Sequence, residues 1–109
     1  MNEFFRTLAR RWSDTATKRG VGIAEPELDP AIAEEILQLA RVVAHSKERS
    51  FAPLASYTAG VAAERLRVAQ GADAARIAAF IREVREELER EMPKGATEPT
   101  ERGTPRARG

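Results

Sequence analysis

The 109-residue chain contains no cysteine and only one histidine, one tryptophan and one tyrosine. Without cysteine there is no disulfide framework, no thiolate-ligated zinc, no iron–sulfur cluster and no thiol nucleophile. His45 is the single histidine, so no site with two histidine ligands forms within one chain. Long apolar runs are also missing. The longest uncharged stretch, Ser50–Ala63, has 14 residues, whereas a membrane-spanning helix needs about 18 or more. Arg6, Arg10 and Arg11 interrupt the apolar N-terminal stretch, which therefore lacks the continuous apolar core of a secretion signal. Nor does one sign of charge dominate: 18 Lys and Arg against 17 Asp and Glu leave a net charge of +1. No segment is a strong basic block, so a nucleic-acid footprint is not indicated. The expectation is a cytoplasmic protein with no metal and no other cofactor, bound to neither nucleic acid nor membrane.

Hydrophobic residues make up 42% of the chain and charged residues 32%, a globular balance for a length that holds one domain. Of the seven glycines and six prolines, six residues lie after Met92. That tail has no large apolar side chain to offset its ordering entropy. The domain is therefore expected over residues 1–92, followed by a disordered tail over 93–109.

Helical punctuation divides the domain into four. Asn2 is placed to cap a first helix reaching Lys18, with Phe5, Leu8 and Trp12 on one face and Gly20 as its stop. Asp29 followed by Pro30 opens a second helix, in which Ile32, Ile36, Leu39 and Val43 form a stripe broadened by Leu37 and Ala40. A third helix, rich in alanine, runs to Gly71. Gly60 in its middle costs roughly 1 kcal/mol against alanine, which suggests a close backbone approach there. Asp73 caps a fourth helix with Ile77, Phe80, Ile81, Val84 and Leu88 facing inward, and with Arg82–Glu86, Arg85–Glu89 and Glu86–Arg90 as exposed pairs. No strand alternation of useful length appears. The fold class is all-α, a compact four-helix bundle. Residues 1–20 carry net +3 and residues 21–49 net −3, which would let the first helix lie against the second.

The run Ala44-His45, Glu48-Arg49, Ala52-Pro53-Leu54, with Tyr57, Gly60 and Ala62-Ala63, resembles a small helical domain of unknown function common in actinobacteria. That family occurs alone or joined to a nucleotidyltransferase resembling the enzyme that makes molybdopterin guanine dinucleotide. The resemblance covers about residues 28–66, with a weaker match in helix four, giving a family-like core of about 28–92. Ser50 and Glu64 stand where the family usually has proline and often has glycine, and the long N-terminal helix looks atypical for it. The resemblance implies a role near molybdenum-cofactor maturation, with a nucleotidyltransferase or a second copy of the chain as partner. It carries over no catalytic residue.

His45, Glu48 and Arg49 form the most distinctive polar cluster. Its simplest role is structural, with the two cations capping helix two and Glu48 as their ion partner. The sharper reading is a small anionic-ligand site, or a minor enzyme, built on His45 and Arg49 with Glu48 and Tyr57 nearby. Tyr57 is expected to pack, with its hydroxyl bonded to a neighbour. Phe4, Phe5, Trp12 and Gly60 are candidate interface residues. An interfacial membrane helix is the other reading of the N-terminal aromatics and arginines, but docking into the core is favoured because a small domain needs its aromatics inside. A helix-turn-helix is excluded by the apolar start of helix three, Phe51-Ala52-Pro53-Leu54-Ala55. The leading function is a non-catalytic accessory or protein-interaction module.

Overall fold

Side-chain caps set where the helices begin. In the computed structural model, which describes residues 2–91, Asn2 Oδ1 accepts the Phe5 N–H at 3.1 Å and opens α1 (Glu3–Lys18). Asp29 Oδ2 accepts from Ala31 and Ile32 at 3.0 and 3.2 Å, and Pro30 takes the first helical position of α2 (Pro30–Ser46). Asp73 Oδ1 accepts from Arg76 at 2.9 Å at the start of α4 (Ala74–Glu91). The third helix, α3 (Phe51–Gln70), starts differently. Ser50 makes no capping bond and its hydroxyl donates to Glu48 Oε1 at 2.8 Å. Backbone carbonyls of Glu48 and Arg49 satisfy the Phe51 and Ala52 N–H groups instead.

Glycine terminates two helices. Gly71 adopts φ +65° and Gly20 φ +85°, a left-handed conformation that side chains with a Cβ avoid. At Gly20 the stop is a Schellman motif: Gly20 N–H donates to Thr17 and Val21 N–H to Ala16, both at 2.9 Å.

α2, α3 and α4 pack on one another. Leu39, Val42 and Val43 of α2, Ala63 of α3, Ala72, and Ile77, Ala78 and Ile81 of α4 are buried, with Ile32, Ile36, Leu66 and Phe80 half-buried against them. The alanines let α3 approach. Leu37, expected to broaden the α2 stripe, is exposed, and Val84 of α4 is 44% exposed. Val42 fills the core in place of Leu37, because residue 42 lies three after Leu39 and so shares its face.

All four helices are present, but α1 does not lie against α2. No Cα of α1 comes within 8 Å of a Cα of α2, α3 or α4. The acidic charge expected to attract it is spent elsewhere. Glu25 and Glu27 belong to the connection itself, Glu35 is buried against α4, and Glu34 accepts from Gln38. α1 packs instead on the connecting segment 21–28, which folds back along it. Ser13 Oγ donates to the Ile23 carbonyl at 3.3 Å, and Phe5, Leu8, Ala9 and Trp12 face Pro26 and Leu28. Deleting residues 1–20 should therefore move the melting temperature of α2–α4 by less than about 4 °C, the equivalent of about 1 kcal/mol. A larger fall in a calorimetric scan would place α1 in the core. The expected disorder of 93–109 concerns residues outside those described.

Candidate functional site

His45, Glu48 and Arg49 do not form the expected cluster. All three are exposed. Among the described residues, His45 and Arg49 make no side-chain hydrogen bond or ion pair, and Glu48 accepts from Ser50. The α2 terminus is closed by the backbone, with Lys47 N–H donating to the Val43 carbonyl at 2.9 Å. The side chains of His45 and Arg49 are therefore neither caps nor partners of Glu48, which takes the hydroxyl two residues away as its nearest donor. Tyr57 is 72% exposed and its hydroxyl bonds to no described neighbour. The reason is helical register: Tyr57 shares a face with Leu54 and Val61, opposite the face carrying Ala59 and Ala63.

Gly60 is exposed, and a Cβ built on it meets nothing within 4 Å. The expected close backbone approach does not occur; the tight packing of α3 uses Ala63 and its neighbours instead. Gly60→Ala should raise stability by about 0.5–1 kcal/mol, since alanine loses less backbone freedom in a helix. Urea melts of the dilute chain measure this, and a loss of stability would mean that a neighbour occupies the space.

Phe4 and Trp12 are 65% and 55% exposed, and Phe5 is only partly covered, its ring edge-on to Phe4 at 5.0 Å. The N-terminal aromatics therefore do not enter the core. The α1–connection unit covers part of their face, and the three-helix core is filled without them.

Two of the apolar hollows that border α3 bear on the site. One is a cleft of about 280 Å³ between α3 and α4, floored by Leu39 and Val43 of α2 and walled by Ala55, Ala59, Ala62, Val84 and Leu88. No ionisable side chain lines it. The other is an open groove of about 740 Å³ between the α1–connection unit and the outer side of α3. Trp12, Ile23 and Pro26 form one wall; Tyr57, Gly60 and Val61 form the other, with Glu64 and Arg65 at its edge. No group of three or more histidine, aspartate or glutamate side chains among the described residues could hold a metal. No helix there is long and apolar enough to cross a membrane.

The outer face of α3 was not singled out by sequence reasoning, although its signal is there. Leu54, Tyr57, Val61 and Val68 recur at i, i+3, i+7 and i+14, a coiled-coil-like spacing. Leu54 and Val68 are 64% and 71% exposed. The inner face of the same helix is apolar too, so the two stripes blur into a helix that is hydrophobic on opposite sides, a pattern normally found where both sides are covered.

The buried carboxylate of Glu35 was likewise missed. Its Oε2 accepts from Arg82 Nε at 2.9 Å, and its Oε1 from Arg85 Nε and Nη2 at 3.3 Å; Arg85 Nη1 also reaches Glu89 at 3.0 Å. Burial opposes the charge on Arg85, but the hydrogen bonds to Glu89 and Glu35, with their negative charges, outweigh it and hold its pKa above the ordinary value. Of the three expected surface pairs only Arg85–Glu89 forms. Arg82 turns to Glu35 rather than Glu86 because an anion out of water needs its partner more than a solvated one does.

Together these features define a small all-α domain with one apolar face turned inward and another turned outward. The chain belongs to the family described as domain of unknown function DUF6457, whose model matches residues 5–98. The match begins inside α1, so the N-terminal helix is part of the family unit and not an addition before residue 28. No curated protein and no solved structure matches the chain significantly.

Proposed function

We propose that this chain is a non-catalytic accessory module that binds another protein through the outer face of α3 and the facing wall of α1 and its connection. One observation carries the reading: Leu54, Tyr57 and Val68 stand in solvent on the side of α3 opposite the core. Each Å² of apolar surface left in water forgoes roughly 25 cal/mol, and contiguous patches of this kind on small domains mark contact sites. The lining of the 280 Å³ cleft supports binding rather than chemistry, since general acid–base or nucleophilic catalysis needs ionisable or activated groups in the pocket. The alternative, an anionic ligand or minor enzyme using His45 and Arg49, has no such support, because neither residue lines this cleft or the 740 Å³ groove.

The resemblance of the His45–Ala63 region to the actinobacterial domain puts molybdenum-cofactor maturation first among processes. It implies two partners for the module in the cytoplasm, a nucleotidyltransferase or a second copy of the chain. The test is photo-cross-linking in the producing bacterium, with benzoylphenylalanine at position 57 or, as control, at the exposed Glu83 of α4. The reading predicts a discrete protein adduct, identified by mass spectrometry, from position 57 and none from position 83. No adduct at 57, or the same products from both positions, would overturn it.

A further inference from the structure

The outer face of α3 has a symmetry that the interaction reading does not require. Gly60 and Val61 are the middle of the 20-residue helix. Counting outward from Val61, the exposed apolar Leu54 lies seven residues before and the exposed apolar Val68 seven after. Tyr57 lies four before and Arg65 four after. Thr58 and Glu64 lie three to either side. All share one face of the helix, because steps of three, four and seven residues return to the same side.

An antiparallel copy of α3, related by a two-fold axis through Val61, therefore meets a complementary pattern at every level. Leu54 falls on Val68 of the second chain and Val68 on its Leu54. Each Tyr57 ring falls on an Arg65, a cation–aromatic pair. Arg65 is free to make it: among the described residues its side chain has no hydrogen bond or ion pair, whereas Glu64 is held by Arg67. At the axis the two Val61 side chains meet; Gly60 lies about 100° round the helix, with open space beside that contact. A two-fold interface demands this relation, in which residue i meets j and j meets i.

We infer that the face proposed above as a docking surface is occupied by a second copy of this chain, α3 antiparallel to α3, centred on Val61. This rests on the interaction reading and names its partner. The open groove of about 740 Å³ between Trp12, Ile23 and Pro26 and the outer side of α3 borders this contact and leaves space there for side chains of the second copy. The contact strip is one helix long, about 30 Å, so the interface is at the small end of specific interfaces and the dimer is concentration-dependent.

Sedimentation equilibrium of the full chain from micromolar to millimolar concentration tests this. The wild type is expected to pass from the mass of one chain to that of two. Tyr57→Arg sets arginine against arginine twice and should weaken the dimer at least tenfold. Tyr57→Arg with Arg65→Glu restores opposite charges and should bring the dimer back. Tyr57 and Arg65 are both exposed, and circular dichroism verifies that each variant is folded. A wild type that stays monomeric, or a double variant no better than Tyr57→Arg, would overturn the inference. If the wild type is monomeric while position 57 still cross-links to a different protein, the docking face stands and the second copy is not its occupant.

Discussion

Replacing Glu35 with leucine is expected to lower stability by about 3 kcal/mol, the range for breaking a buried ion pair from one side. Glu35 joins α2 to α4, and its side chain is 10% exposed against 15% for Arg85. Without the carboxylate, Arg85 keeps only Glu89, on its own helix, and part of its guanidinium is left out of water without a partner. A helical domain of this length sits near the low end of the usual 5–15 kcal/mol, so the loss is a large fraction of the whole. The pair itself is not a net asset over a well-packed apolar contact. Arg85→Met added to Glu35→Leu should therefore recover most of the loss. Urea melts of the four proteins close the double-mutant cycle. Costs that simply add, within about 0.5 kcal/mol, would mean that the two side chains are not coupled.

Ile81→Ala should cost about 2–3 kcal/mol and lower the melting temperature by about 10–20 °C. Ile81 is 3% exposed, in the cluster with Ala63, Ala72 and Ile77. It also borders the cleft between α3 and α4, so the space left by its side chain opens to that cleft rather than becoming a sealed void. That places the cost in the lower part of the usual range for such truncations. A shift under about 4 °C in a thermal melt would mean that the α2–α3–α4 core is not what holds the chain together.

The elements were legible in the sequence because their ends are written in local chemistry. Asp29-Pro30 and Gly71 fix boundaries without reference to the rest of the molecule, and the structure places them as read. What each face packs against was harder to read. The Phe5–Leu8–Trp12 stripe shows that α1 has an apolar side, but periodicity is the same whether that side meets a core or its own connecting segment. Glu35 was readable in principle. It sits three residues after Ile32 and four before Leu39, on the inward side of α2, where an anion requires a cation from another helix. Pairing rules confined to one helix assign Arg82 to Glu86 instead.

Gly60 shows the opposite failure. A glycine inside a helix suggests a close neighbour, but among the described residues nothing approaches Gly60. The exposed apolar face of α3 was obscured by the helix being apolar on two sides, so that no single stripe stood out against the alanines. The polar cluster His45–Glu48–Arg49 is adjacent in sequence only, and the turn after α2 lets each side chain point into solvent separately.

The division of α3 into an inner face that holds the fold and an outer face that does not is tested most directly by Leu54→Ser combined with Val68→Ser. Urea unfolding of the dilute chain should give a midpoint within about 0.5 kcal/mol of the wild type, as for surface substitutions that touch no core group. A loss of about 2 kcal/mol or more, the size expected for truncating core side chains, would place these residues inside the monomer fold and remove the surface on which the proposed function depends.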